Sequence, residues 1–261
     1  MSALQYLFTR RSFSVGGHPF TRRSFSVGGV LLLSAFTVRA QSGGIKGIKT
    51  ENLGNFDERP LHFGFLLGYN TSDFYMDLKA GALLGDTLLG VDHIKKPGFN
   101  LGIVSSFNMT KNFSVRFVPT LSFQERVLRY RFLSGGNQVV YDKPIESTYI
   151  DLPVLIKFRS DRINNFAVYL VAGGKYSIDM ASQKDVDNTL NEDIVVKLER
   201  NDYSAEVGGG FDMFLTYFKF GIELKHCIGI PNLHFDDGTR FSTPIDRLRS
   251  KSWVFTMTFE G

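Results

Sequence analysis

The chain has 261 residues, 43% of them hydrophobic and 21% charged, a composition that excludes intrinsic disorder. Its formal net charge of +4 comes from the first 40 residues, which carry five arginines and no acidic residue. Without them the chain holds 25 basic and 26 acidic residues, so the charge gives no support for nucleic-acid binding. The single cysteine, Cys227, excludes an internal disulfide.

The first predicted element is a secretory signal peptide over residues 1–40. Arg22 and Arg23 precede a short apolar run from Val30 to Val38, and a small residue, Ala40, precedes the predicted mature start. The segment TRRSFSVGG occurs twice, at residues 9–17 and 21–29, which indicates either a short duplication or a start codon assigned too early. Its arginine pair also fits a twin-arginine signal. The general secretory route is favoured, because a barrel precursor crosses the inner membrane unfolded.

After a predicted periplasmic segment over residues 41–60, apolar and polar residues alternate with a period of two through residues 61–261, which indicates strands. Many of the alternating segments are near the 9–11 residues that a tilted strand needs to cross a bilayer. There are eight of them: Leu61–Asn70, Gly98–Asn108, Phe113–Arg126, Ile150–Phe158, Phe166–Lys175, Tyr203–Met213, Phe218–Lys225 and Trp253–Glu260.

The connections between these segments alternate between long and short, as in outer-membrane barrels with long external loops and short periplasmic turns. Because backbone groups in hydrocarbon must be satisfied internally, the first strand should pair with the last. The sequence therefore predicts an all-β protein, an eight-stranded antiparallel transmembrane β-barrel with both termini in the periplasm. Long loops are expected around Lys79 to Lys96, Gly135 to Asn137, Ser182 to Asn201 and Pro231 to Arg249, and short turns at Met109 to Asn112, Ser160 to Arg162 and Leu215 to Tyr217.

Two sets of side chains follow from the alternation. A soluble sandwich or lipocalin-like barrel would place the apolar set inside; the charges of both signs on the polar face, the loop lengths and the export signal favour the inverted arrangement. The apolar set, predicted to face lipid, includes Phe63, Phe65, Phe117, Ile156, Leu170, Phe220, Ile222, Trp253 and Phe255. The polar set, predicted to form a charge network in the lumen, includes Arg116, Arg126, Asp151, Lys157, Lys175, Glu206, Asp212, Lys219, Glu223 and Lys225.

The lumen network is interpreted as a salt-bridged plug, because an eight-stranded interior is filled by side chains; a proton or ion path is the alternative. No catalytic, cofactor or metal site is expected. His226 and Cys227 are neighbours in a strand and point to opposite faces, and the five histidines lack metal-ligand spacing. The Asp236-Asp237-Gly238 run fits a polar turn better than a calcium site.

The run Asn55 to Gly64, NFDERPLHFG, resembles the start of PorT-type outer-membrane proteins. Three further stretches share this similarity, which covers the chain from about Asn52 to its end: Pro97 to Ile103, Arg116 to Phe123, and Glu146 to Pro153. That family belongs to the type IX secretion and gliding machinery of Bacteroidetes. The resemblance implies a non-catalytic role in protein secretion, with outer-membrane lipid and other secretion proteins as partners. A generic OmpX-like surface or adhesion barrel is the alternative, followed by a lipid-modifying barrel enzyme with Ser and His at one rim.

Overall fold

The computed structural model describes residues 52–81, 88–182 and 196–261. The predicted signal peptide, residues 41–51 of the predicted periplasmic segment, and most of the predicted loop from Ser182 to Asn201 lie outside these ranges. Nine strand elements form one antiparallel sheet. They are β1 Leu61–Leu78, β2 Leu88–Asn108, β3 Phe113–Phe117, β4 Thr120–Ser134, β5 Asn137–Arg159, β6 Phe166–Asp179, β7 Asn201–Phe214, β8 Lys219–Gly229 and β9 Ile245–Glu260.

The sheet closes on itself, because β1 pairs with β2 on one edge and with β9 on the other. Strands β3 and β4 occupy one position in the ring, since both pair with β2 and with β5. They are separated at Val118-Pro119, where Pro119 has no N–H to donate, although its carbonyl accepts a hydrogen bond from Ile103 N at 3.0 Å. The ring thus has eight strand positions, and the predicted fold class is confirmed.

The two ends of the barrel differ. One end, here the turn end, holds the start of β1, the end of β9 and the connections over residues 109–112, 160–165 and 215–218. The opposite end, here the loop end, holds the end of β1, the start of β2 and the connections over residues 135–136 and 230–244, together with the described residues 79–81, 180–182 and 196–200.

The prediction of a long loop from Gly135 to Asn137 is wrong. The connection between β4 and β5 consists only of Gly135 and Gly136, and the chain on either side of them is strand. Both glycines have positive φ, 58° and 81°, the backbone that a two-residue hairpin turn requires. The predicted loop between β1 and β2 is also shorter than expected, because β1 continues to Leu78 and β2 begins at Leu88.

The extended strands enclose a hydrophobic core at the loop end. Along these strands the apolar side chains face outward near the turn end and inward near the loop end. On β4, Leu121 is exposed on the outside, whereas Leu128 and Tyr130 are buried inside. On β1, Tyr69 is exposed and Phe74 is buried. The inward apolar residues fill the loop end with a cluster of Phe74, Leu88, Val91, Leu128, Tyr130, Ile145, Val196, Leu198, Leu233, Phe241, Ile245 and Leu248.

None of the described residues forms a helix that is long and apolar enough to cross a membrane.

Candidate functional site: a charged lumen closed at both ends

The centre of the lumen is organised around Arg116 of β3. Its guanidinium lies 2.8 Å from Glu223 of β8 and 3.5 Å from Glu260 of β9, and each of these side chains is at most 1% exposed. Glu260 also accepts a hydrogen bond from Lys219 Nζ at 2.6 Å. A buried charge is stable only when it is paired, so these contacts fix three strands against one another.

The network continues toward the loop end through alternating charges. Lys225 lies 3.5 Å from Glu223 and 3.3 Å from Glu206. Glu206 is 3.3 Å from Lys175, whose ammonium is 3.4 Å from Asp151. A chain of ion pairs therefore runs through the lumen from Lys219 to Asp151.

Lys157 and Asp212 form a separate buried pair at 2.7 Å beside this chain. The Lys157 ammonium also sits 3.5 Å from the centre of the Tyr169 ring, a cation–π contact. A Cβ at Gly210 would lie 2.8 Å from the Tyr169 hydroxyl oxygen, so glycine leaves the room that this tyrosine occupies.

The structure brings nine of the ten predicted lumen residues into ion pairs with one another or with Glu260. With Glu260 included, these pairs hold five cations and five anions, so the charges balance. The tenth residue, Arg126, lies apart: it donates hydrogen bonds to Ser147 Oγ and Tyr149 Oη, both at 2.9 Å, and stacks over Phe74.

Glu260 is an ion-paired lumen residue that the predicted charge network did not include. It follows Thr256 and Thr258 at a spacing of two, and both of these are buried. The alternation itself could therefore have placed Glu260 in the lumen.

The described part of the predicted periplasmic segment, residues 52–60, packs on the turn end and is here called the cap. The Phe56 ring stacks on His62 with centroids 3.8 Å apart and contacts Phe214 edge-on. The Lys219 ammonium lies 4.8 Å from the centre of the same ring. Phe56 thus closes the turn end directly over the last ion pair of the lumen.

Ion pairs lock the cap to the β5–β6 turn. Asp57 lies 2.8 Å from both Arg159 and Arg162. Burial raises the pKa of Asp57, but the two guanidinium groups outweigh burial and hold its pKa below the ordinary value. Asn52 adds hydrogen bonds from its backbone N to Asn165 Oδ1 at 2.9 Å and from its side-chain amide to Phe214 O at 3.0 Å.

We expect Asp57→Asn to loosen the cap, because it removes the charge that holds both arginines. The lowered pKa means that the ionised carboxylate stabilises the cap at neutral pH, and that this contribution is lost as the pH falls through the pKa of Asp57. The protection of the amides of residues 52–60, measured by hydrogen exchange relative to the intrinsic exchange rate at each pH, should fall in the variant at pH 7, and in the wild type on acidification. The exposed neighbour Glu58, changed to Gln, is the control and should leave exchange unchanged.

The cavities between these groups are small. Two in the lumen, lined by parts of the ion-pair chain, have volumes of about 10 and 20 Å³, and one at the turn end beside Lys157 has about 10 Å³. Each has room for about one water molecule. The lumen between the cap and the loop-end cluster is therefore filled by protein.

The outer surface of the barrel is apolar. Of the nine residues predicted to face lipid, seven are exposed, and Phe220 and Ile222 are half-buried, Phe220 against Phe259. The exposed members are Phe63, Phe65, Phe117, Ile156, Leu170, Trp253 and Phe255. That this surface contacts lipid stays a prediction.

His226 and Cys227 point to opposite faces of β8. The His226 ring packs against Trp253 outside, with centroids 4.4 Å apart, whereas Cys227 Sγ lies inside, 3.3 Å from Glu206 Oε1. In residues 52–81, 88–182 and 196–261, no three His, Cys, Asp or Glu side chains converge as a metal site would require. At the Asp236 turn, a hydrogen bond from Lys79 lowers the pKa of Asp236 to about 2, so an ammonium already occupies the position of a cation there.

Cys227 is only 3% exposed, which predicts that a maleimide will not label it in the folded barrel. Labelling should become complete once the protein is boiled in detergent. Rapid labelling before boiling would contradict a filled lumen.

Comparison with known proteins gives a family match and a set of similar structures. A family model described as "Outer membrane protein beta-barrel domain" matches residues 40–234. OprG from Pseudomonas aeruginosa is 13% identical, with a TM-score of 0.43 over 77% of this chain and 92% of its own. Neisserial surface protein A is 11% identical, with a TM-score of 0.41 over 75% and 95%, and Ail of Yersinia pestis is 16% identical, with 0.35 over 78% and 100%. Among curated proteins no significant match was found.

Proposed function

Because this chain belongs to the outer membrane protein β-barrel domain family, we propose that it is a non-catalytic component or accessory of the type IX protein secretion and gliding machinery. In this proposal the loop end faces outward and the turn end, with both termini, faces the periplasm. The protein acts through its surfaces and conducts nothing through its lumen.

The observation that carries the proposal is the filled lumen. The ion-pair chain from Lys219 to Asp151, the cap and the loop-end apolar cluster occupy successive levels of the barrel. Opening a path would require breaking buried ion pairs, and breaking one costs about 3–5 kcal/mol. A barrel of this kind contributes to transport as an anchor or an assembly partner.

The choice of machinery is supported by the resemblance to PorT-type proteins and by the place of its most distinctive stretch. Phe56 and Asp57 of that stretch form the cap, and Gly64 lies where β1 meets the end of β9. The run thus builds the end of the barrel that the proposal assigns to the periplasm, where other secretion proteins would meet it.

A surface or adhesion barrel is the second candidate, favoured by the β4–β5 hairpin. This hairpin continues as paired strand to Ser134↔Asn137 and carries exposed cations such as Arg129 and Arg131. Such a hairpin could present a surface to an external ligand.

A deletion strain separates the two candidates. The proposal predicts that large cargo proteins fail to reach the medium, and that the full-length gene restores them. Normal secretion together with reduced attachment to surfaces would support the adhesion barrel instead. The purified barrel in a planar bilayer should show no stepwise conductance; steady channels would contradict a sealed lumen.

A further inference from the structure

We propose that the outer face of β9 and β1 at the loop end binds a phosphate group of the outer-leaflet glycolipid. The site comprises Arg249 and Lys251 of β9 around Tyr75 of β1. The assignment of this phosphate to the outer-leaflet glycolipid rests on the proposed function, which places the loop end on the outside of the membrane.

The site begins where the apolar surface stops. Trp253 and Phe255 are exposed on the outer face of β9, and the next outward positions toward the loop end are Lys251, Arg249 and Arg247. A cation on the lipid-facing side is strongly unfavourable at the bilayer midplane and nearly neutral at the interface. The change from aromatic to cationic side chains along β9 therefore marks the level of the lipid headgroups, where the phosphates lie.

The neighbouring strands complete the site. In register, Tyr75 lies opposite Arg249 and Asp73 lies opposite Lys251. The Lys251 ammonium sits 4.5 Å from the centre of the Tyr75 ring, which holds it beside Arg249. On the far side of β1, Lys95 is 3.5 Å from Asp73 and His93 also contacts that carboxylate.

On this face the cations outnumber the anions that could pair with them. Asp73 is already shared by Lys95 and His93, and Arg247 has Asp246 at 3.8 Å and Asp77 opposite it in register. Arg249 is exposed and has no ion-pair partner among the residues that the structure describes. A phosphate bridging Arg249 and Lys251 would supply the missing anion, with the strong hydrogen bonds that guanidinium and phosphate form.

The opposite side of the barrel does not favour an anionic ligand in this way. On the β4–β5 face, Glu125 and Glu146 lie directly opposite each other just beyond the apolar surface. Lys96 lies 3.9 Å from Glu125 and offsets only part of that charge. Farther along this face Arg129 and Arg131 are already paired with Asp142 and Asp92. An anionic headgroup therefore meets an unpaired cation on the β9–β1 face, and two facing carboxylates and paired arginines on the β4–β5 face.

The test uses the full-length barrel in non-ionic detergent, titrated with diphosphorylated lipid A, phosphatidylglycerol or phosphatidylethanolamine and read by native mass spectrometry. We expect lipid A to bind most tightly, and Arg249→Gln with Lys251→Gln to weaken it by about tenfold or more. The matched control, Arg129→Gln with Arg131→Gln, removes the same charge from exposed arginines of β4 and should change binding by less than about twofold.

Equal losses in the two double variants, or no loss in either, would overturn the site. Equal binding of phosphatidylglycerol through Arg249 and Lys251 would overturn the assignment to the glycolipid. The single substitutions replace the double variant if it fails to show the heat-dependent gel mobility of a folded barrel. None of these outcomes depends on secretion, so the site and the proposed function can fail separately.

Discussion

Replacing Arg116 by Leu is expected to lower the free energy of unfolding of the barrel by about 3–5 kcal/mol, because it leaves buried charges without their partner. Glu223 and Glu260 both face the Arg116 guanidinium, and all three side chains are at most 1% exposed. The measurement is urea unfolding in detergent micelles, with the folded fraction read from gel mobility without boiling.

Two comparisons isolate the buried charge. Arg129→Gln removes an exposed guanidinium that pairs with Asp142 and should change stability by less than about 1 kcal/mol. Adding Glu223→Gln to Arg116→Leu should cost less than the sum of the two single substitutions, since the second removes a carboxylate that the first left unpaired. A loss below about 1 kcal/mol for Arg116→Leu would show that the network is hydrated and open.

Changing Ile156 to Arg is expected to destabilise the barrel in a bilayer by about 2–4 kcal/mol, the effect of a cation on the lipid face near the midplane. Ile156 is 58% exposed and has Val154 and Phe158 as its outward neighbours on β5, so in water the substitution would be almost neutral. The measurement is reversible folding of both proteins into phospholipid vesicles across a urea series.

Val140→Arg is the matched control. Val140 is also a β-branched residue of β5, 47% exposed, but it lies in the hairpin beyond the apolar surface. Its substitution should change stability by about 0–1 kcal/mol. Equal effects at the two positions would mean that the exposed apolar surface is not in lipid.

The part of the fold that lies in the predicted membrane region could be predicted from sequence because one simple rule applies there. Outward residues must be apolar and inward residues are polar or small, so the eight alternating segments identify the strands and their faces. Arg116, Glu223 and Lys225 were placed in the lumen by this rule, and the structure buries each of them. The ion-pair partners could not be predicted, because they depend on which residues of strands that are not neighbours in the sheet, such as β3 and β8, face each other across the lumen.

Beyond the apolar surface the rule reverses, and there the sequence prediction was wrong. Leu128 and Tyr130 alternate as clearly as Leu121 and Phe123, but they face inward, and the outward positions beside them are the charged residues Arg129 and Arg131. Because of this reversal, the sequence prediction assigned a long loop around Gly135-Gly136, where the structure has two strands joined by a two-residue turn. The cap was missed for a different reason: the contacts of Phe56 and Asp57 join parts of the chain far apart in sequence, and no local pattern encodes them.

The most direct test of an outward apolar surface uses Trp253, the single tryptophan of the chain, which is 48% exposed on the outside of β9. Folded into vesicles that contain phospholipids brominated along their acyl chains, the protein should lose a large part of its tryptophan fluorescence relative to vesicles of unbrominated lipid. Unchanged fluorescence in a protein that keeps the gel mobility of a folded barrel would contradict the account, because Trp253 would then lie in water or in a dry interior.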